Sequence, residues 1–282
     1  MIITLLGTGS PLPDPNRAGP ATLVQAGGLN LLIDCGRGVS MRLAAAGVPG
    51  PGFLHQVLLT HLHSDHVTDF NDLVTMRWAM SMAPSPLPVA GPPGTAVFAQ
   101  RTLDMLRDDI GYRLAHHDDL TWEPGCEVVE VLDDELRSEL LEQRGIRVTT
   151  APTDHRPVAP TVGYRIEHEG HSVVCAGDTV PCEGLDRLVA DADVYVQTVI
   201  RTDLIEAFGL PRLLDVCDYH SSVEQAAQTA ERGGVRTLVL THMVPAPAPG
   251  TEQEWIDLAA EHFGGRVVLA ADLDRIDLDA GD

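Results

Sequence analysis

Gln56-Val57-Leu58-Leu59 runs into Thr60-His61-Leu62-His63-Ser64-Asp65-His66, and this stretch decides how the chain is read. The apolar run predicts a short buried strand. Three histidines and an aspartate follow within six residues. Neutral imidazole and carboxylate are the ligands that zinc and similar divalent ions take. His61 and His63 alternate on an extended backbone, so their side chains point the same way. Asp65 and His66 come after a turn and face a second point nearby. A loop leaving the carboxyl end of a strand is where open α/β sheets place their ligands.

The same arrangement recurs further along. Gly145 to Thr150 reads as a strand and leads to Ala151-Pro152-Thr153-Asp154-His155. His171 to Ala176 leads to Gly177-Asp178-Thr179, and Thr237 to Leu240 leads to Thr241-His242. These loops gather on one edge of a layered sandwich. Tyr219-His220-Ser221-Ser222 precedes a helix, with Ser221 or Ser222 as N-cap and Glu224 in the first turn. That helix runs to about Arg232 and ends at Gly233-Gly234. Asp34, which ends the strand Asn30 to Ile33, either touches the metal loop or forms a turn.

Composition narrows the classes. The chain has 282 residues and 44% apolar content, ordinary for a globular protein with a large core. Lys+Arg number 19 against 41 Asp+Glu, a net charge of −22. Binders of free nucleic acid usually show a basic surface, and the arginines here are scattered. Cys35, Cys126, Cys175, Cys182 and Cys217 show no close pairing, so no disulfide framework is expected. Met1 leads straight into a strand and no apolar run reaches the length of a membrane span. A cytoplasmic protein without a signal peptide or membrane segment is the expectation.

Between the polar loops the pattern is of strands and helices in each half. Gly7 to Pro20 is a Gly- and Pro-rich loop, read as a wall of the site. Phe70 to Met82 reads as a helix whose Met and Trp side chains enter the core or a pocket wall, and Thr95 to Arg107 as another. Asp108 to Glu123, with His116-His117-Asp118-Asp119, reads as irregular. Cys126 to Leu132 reads as a strand, and His168 and His171 flank a hairpin tip and are expected in solvent. Leu204 to Leu214 reads as helix broken at Gly209-Leu210-Pro211.

His-x-His-x-Asp-His after a strand resembles the signature of the metallo-β-lactamase superfamily of metallohydrolases. The opening strand Ile3 to Leu6 with Gly7-Thr8-Gly9-Ser10-Pro11 is similar to that of the branch holding ribonuclease Z, PhnP-type phosphodiesterases and arylsulfatase-like hydrolases. The resemblance runs from Met1 to about Leu269. It implies an α/β fold, a four-layer αββα sandwich in a single domain over residues 1–282. It implies two divalent metal ions, zinc first and manganese or iron as alternatives. His61, His63 and His155 would hold one ion, Asp65, His66 and His242 the other, with Asp178 bridging. Two such ions about 3.5–4 Å apart share a water and lower its pKa toward about 7. Asp65 would bind metal, orient the attacking water, or both. His220 would contact the scissile phosphate and help protonate the leaving group.

Two departures from that branch shape the substrate expectation. The family's His-Glu pair, whose Glu supports the catalytic histidine, reads Gln197-Thr198 here, so His220 is expected to lack its usual acidic support. Bacterial ribonuclease Z inserts a tRNA-gripping arm between its third histidine and bridging aspartate, whereas His155 and Asp178 are 23 positions apart. With the −22 charge, this gives the expectation of a hydrolase of small anionic esters, phosphodiesters first and aryl sulfates next. Nucleic acid is then an unlikely partner, and a homodimer stays open. The rival readings are ribonuclease Z-type tRNA 3′-end processing, lactone hydrolysis, and a non-catalytic regulatory or ligand-binding protein that kept its metal site.

Overall fold

In the computed structural model, which describes residues 1–280, the strands form two sheets. The first takes β1 (Ile2–Gly7), β2 (Ala21–Ala26), β3 (Leu29–Ile33), β4 (Gln56–Leu58), β5 (Leu87–Gly91) and β6 (Cys126–Glu130) in that order. The second takes β7 (Arg147–Pro152), β8 (Val162–His168), β9 (His171–Cys175), β10 (Val194–Ile200), β11 (Thr237–Val244) and β12 (Arg266–Leu269), again in sequence. The last strand, β13 (Arg275–Asp277), returns to pair antiparallel with β1. Each half begins antiparallel and becomes parallel: β3 to β6 in the first sheet, β9 to β12 in the second. Parallel strands need crossovers, and helices supply them.

Those helices are α1 (Val39–Ala45), α2 (Ser64–Val67), α3 (Phe70–Ala79), α4 (Thr95–Met105), α5 (Arg107–His116), α6 (Glu139–Gln143), α7 (Glu183–Val189), α8 (Thr202–Phe208), α9 (Pro211–Leu214), α10 (Val223–Arg232) and α11 (Glu252–Ala260). Strand side chains alternate between faces, which sorts the core into three layers. Val24, Leu31 and Ile33 meet Val162, Tyr164 and Val196 between the sheets. Leu23 and Leu32 point outward to Val39, Leu43, Phe70 and Leu73 on α1 and α3. Tyr195, Leu238 and Leu240 point outward to α7, α10 and α11. Both faces of each sheet are thus buried, which is why the strands read as nearly unbroken apolar runs. Each fully buried Leu or Ile contributes about 1.5–3 kcal/mol. The result is the four-layer αββα sandwich of the metallo-β-lactamase fold.

Two cross-sheet bonds fix the height of the metal loop. Tyr164 in β8 donates its buried hydroxyl to the Leu59 carbonyl at 2.7 Å. The Val162 amide donates to the Thr60 carbonyl at 2.9 Å. The second sheet therefore holds the end of β4 just before His61.

Several elements differ from expectation. Helix α3 stops at Ala79, so Met80 and Met82 are 75% and 90% exposed; they lie outside the core and, with Met76, line a surface pocket, while Trp78 is buried. Arg107 to His116 is a helix, α5, rather than irregular chain; it buries no residue, so it carries no apolar stripe for a periodicity reading to find. Strand β6 ends at Glu130, short of Leu132. His168 and His171 are half-buried, not free in solvent; His168 faces the Gly145 carbonyl. Strand β11 does not stop at Leu240 but continues through His242 to Val244. Among the described residues, no helix is long and apolar enough to cross a membrane.

Candidate metal centre

The seven expected metal ligands converge at the carboxyl ends of β4, β7, β9 and β11. His61 and His63 leave β4 on extended backbone, and a single helical turn, α2, then carries Asp65 and His66. His155 follows β7, Asp178 follows β9, and His242 lies within the last part of β11. Ligand atoms of His61, His63, His155 and Asp178 all lie within 4.8 Å of one another, as do those of Asp65, His66 and His242. Asp178 also joins His220 and His242 in a third such group.

Local backbone explains how the chain reaches this geometry. Opposite Val199 of β10, β11 carries two residues, His242 and Met243, because the register shifts between Thr198–Thr241 and Ile200–Val244. Such a bulge bends a strand and re-aims a side chain. His242 sits there at φ 50°, and Asp34 at φ 58°. Non-glycine residues in this left-handed region cost about 1–3 kcal/mol each and cluster at functional sites. Gly177, at φ 66°, sets Asp178 in place; a Cβ on it would meet the Thr60 side chain at 2.6 Å.

The hydrogen bonds settle the imidazole tautomers. The Thr60 hydroxyl donates to Asp34 Oδ2 at 2.8 Å, so its oxygen accepts from His61 Nδ1 at 3.0 Å and leaves a lone pair on His61 Nε2. His155 Nδ1 donates to the Tyr219 carbonyl at 2.8 Å, leaving a lone pair on its Nε2. His63 Nδ1 then lies 3.1 Å from His61 Nε2 and 3.2 Å from His155 Nε2. Three ring nitrogens at this spacing match a tetrahedron around a zinc ion, whose N···N edges are about 3.3 Å for bonds of about 2.0 Å. Asp178 Oδ2 stands 3.8 Å from both His61 and His155 Nε2.

On the other side, His66 Nδ1 donates to Asp34 Oδ2 at 2.7 Å, and its buried Nε2 has no partner. That nitrogen points between Asp178 Oδ2 at 3.4 Å and Asp65 Oδ2 at 3.7 Å. His242 Nε2 lies 3.1 Å from Asp65 Oδ2. Asp178 Oδ1 and His242 Nδ1 are also buried without a partner. Buried polar atoms are normally satisfied, so the unpartnered His66 Nε2 beside two carboxylate oxygens fits a cation. The donor set fits divalent metal on both sides of Asp178.

Charge follows the same division. Burial pushes His61 well below the usual histidine range, with the neighbouring His66 adding to it. Burial lowers His63 as well and brings His155 to about 4. Burial would also lower His66, but the Asp178 and Asp34 carboxylates outweigh it and raise this imidazole well above its ordinary value. Burial favours a neutral Asp178, yet His242 and His66 hold it well below the carboxylate range. Asp65 is likewise held down against burial by the hydrogen bond from His242.

His220 enters the same cluster, with Nε2 at 3.2 Å from Asp178 Oδ2. Burial lowers its pKa, but the Asp178 carboxylate raises it above the ordinary value. The expected lack of support for His220 is met by backbone. Its Nδ1 donates to the Val216 carbonyl at 2.9 Å, from a 3₁₀ turn over Asp215–Asp218. Thr198, in the place of the family's Glu, donates instead to the Gly177 carbonyl at 3.0 Å. Ser222 caps α10 with a reciprocal bond to Gln225, which fixes the chain just after His220.

The sequence left Asp34 open and gave no role to Thr60, Val216 or Tyr219. Asp34 accepts from the Thr60 amide and hydroxyl and from His66, so it orients donors in both groups. Its signal was present: it follows β3 as the other polar residues follow their strands. The Val216 and Tyr219 contacts use carbonyls, which no side-chain pattern reveals.

Comparison with known proteins agrees with this fold. Residues 29–243 match the family described as "Beta-lactamase superfamily domain". A protein named ribonuclease Z from Mycobacterium avium is 56% identical over 280 residues, 99% of this chain and 98% of its own length. A ribonuclease Z from Mycobacterium tuberculosis H37Rv is 53% identical over 278 residues, covering 98% of this chain and 97% of that protein. Among solved structures, the metallo-beta-lactamase fold protein YhfI from Bacillus subtilis superposes with a TM-score of 0.75 at 21% identity, covering 98% of both chains. The short form of human tRNase Z superposes with a TM-score of 0.71 at 22% identity, covering 99% of both. At these identities the structures bear on the fold alone. The chain belongs to the beta-lactamase superfamily, as a metal-dependent hydrolase of ester bonds.

Proposed function

We propose that this chain is a ribonuclease Z-type endonuclease that cuts a phosphodiester bond in precursor tRNA at a dinuclear metal site within one domain. The observation that carries this reading is the 56% identity over 98% of the length of a protein named ribonuclease Z. That coverage bears on the expectation of small anionic esters. The missing arm does not discriminate, because relatives bearing the name are as compact as this chain. The −22 charge is a property of the whole surface and does not describe the atoms at the site. Nucleic acid as substrate therefore replaces the earlier preference.

His61, His63 and His155 would hold one ion, Asp65, His66 and His242 the other, and Asp178 both. Zinc suits this set of imidazole and carboxylate, and manganese or iron is compatible with it. Divalent ions held there would lower the pKa of a water and stabilise charge on the phosphate oxygens. Asp65, kept ionised beside His242, either binds metal directly or accepts a proton from that water. His220, with Nε2 3.2 Å from Asp178 Oδ2 and Nδ1 held by the Val216 carbonyl, is set to pass a proton to the leaving oxygen.

The test is cleavage of a 3′-extended precursor tRNA beside turnover of bis(p-nitrophenyl) phosphate, with zinc or manganese saturating. Cutting at one defined position near the tRNA 3′ end supports the reading. Rapid turnover of the small ester with the precursor left intact restores the small-ester reading.

A further inference from the structure

Under the metal centre, between the two sheets, lies a cavity of about 30 Å³. Every residue lining it is buried. The volume exceeds the roughly 10–15 Å³ that one water needs. Its lining is mixed, with Ile33, Cys175 and Val196 beside a cluster of polar side chains. Asp34, Thr60 and His66 face it from the first sheet and Thr198 and Thr241 from the second. Thr241 Oγ1 is buried and has no hydrogen-bond partner, a cost that a native hydroxyl rarely carries. Thr198 Oγ1 donates to the Gly177 carbonyl and keeps acceptor capacity. Asp34 accepts three bonds, from the Thr60 amide, the Thr60 hydroxyl and His66, and a carboxylate offers about four acceptor sites.

We propose that this cavity is a buried water site and that Thr241 is a positioning residue for the metal centre acting through it. The water accepts from the Thr241 hydroxyl and donates to Asp34 and to Thr198 Oγ1. Thr241 directly precedes His242 in the bulged part of β11, and Asp34 holds His66. The water therefore ties the strand that aims one ligand to the carboxylate that orients another, across the gap between the sheets. The positioning half of this inference rests on the metal reading above.

Two variants separate hydration from shape. Thr241→Val keeps the volume and removes the hydroxyl; Thr241→Ser keeps the hydroxyl. Zinc affinity is measured by chelator competition, and each protein is crystallised at a resolution that shows waters. Expected results are density for water in the wild type and in Thr241→Ser, and none in Thr241→Val. Zinc affinity at one of the two ions falls by about 10–100-fold in Thr241→Val, the scale for losing an outer partner of a ligand. Thr241→Ser stays close to wild type. A change in overall stability alone would lower the unfolding temperatures of the metal-free and zinc-bound forms equally, whereas lost positioning reduces the increment that zinc adds. A dry cavity in the wild type, or Thr241→Val binding both ions as tightly as wild type, overturns the proposal. If Thr241→Val does not fold, Thr198→Val removes the second hydroxyl and is read by the same two outcomes. A wild type that binds no zinc sinks the metal reading; cavity density and the position of His242 in metal-free Thr241→Val crystals then decide this inference separately.

Discussion

The two donor groups that share Asp178 are built differently. His61 and His155 are oriented by neutral partners, the Thr60 hydroxyl and the Tyr219 carbonyl, and His63 stands half-exposed at the mouth. Asp65, His66 and His242 are all buried, and His66 is oriented by the Asp34 carboxylate. Burial lowers the first set of imidazoles, while carboxylates raise His66 above its ordinary value. The lesson is one of access and support. In the first group three neutral imidazoles meet, and His63 alone reaches solvent while His61 and His155 are fully buried. The second offers a mixed, charged set packed into the protein, so a chelator is expected to draw the ion of the first group sooner.

The largest break in this comparison is Asp178→Ala, which removes the group that both sides share. Cleavage of precursor tRNA is expected to fall by more than about 10⁴-fold, since ion-derived charge stabilisation and the carboxylate contact that places His220 are lost together. Plasma spectrometry should find the bound metal lost from both groups; two retained ions would separate Asp178 from the metals.

His220→Ala leaves both groups intact and removes the proton donor. RNA cleavage should drop by about 10²–10⁴-fold, while bis(p-nitrophenyl) phosphate, whose leaving group departs unaided, changes little. Equal losses on both substrates with metal content unchanged would make His220 a binding residue.

Asp34→Asn sharpens the contrast between the two sides. His66 loses its carboxylate partner, and the second group should bind zinc about 10–100-fold more weakly, with the first group less affected. Competition with two chelators of different strength reads the two affinities. A uniform loss across both ions would mean that Asp34 acts mainly through Thr60.

The smallest catalytic effect is expected for Thr198→Glu. Thr198 bonds to Gly177 and lines the cavity under Asp34, while His220 already has Val216 on its Nδ1. No gain on substrates with poor leaving groups is expected. The melting temperature should fall by several degrees, because a carboxylate is buried next to another. A clear gain in RNA cleavage would show that the new carboxylate reaches His220 after all.

Much of this was legible in the sequence because the chemistry is local. His61, His63, Asp65 and His66 sit in one loop, and His155, Asp178 and His242 each follow a strand whose apolar run is plain. The burial of both sheet faces made strands such as Thr237 to Leu240 stand out, though the strand runs on to Val244. Helix α5 was hidden because it buries nothing, and the end of α3 because Met80 and Met82 look like core residues but lie in solvent. Asp34 was ambiguous, since a turn and a histidine partner ask for the same residue type. The carbonyls of Val216 and Tyr219 were invisible, since their role depends on where a 3₁₀ turn places backbone. Charge and the spacing from His155 to Asp178 pointed to small esters, whereas the relatives named ribonuclease Z support the RNA reading proposed above. Both describe the surface and the insertions of the chain, not the atoms that meet the phosphate.

The most direct test of the account is a count of metal ions by native mass spectrometry. Wild type, His63→Ala and His242→Ala would be loaded with zinc and stepped through chelator. Two ions in the wild type are expected, released one before the other. His63→Ala should retain the later-released ion and His242→Ala the earlier-released one. A wild type that binds a single ion, or two variants that lose the same one, would contradict a site made of two unlike halves around Asp178.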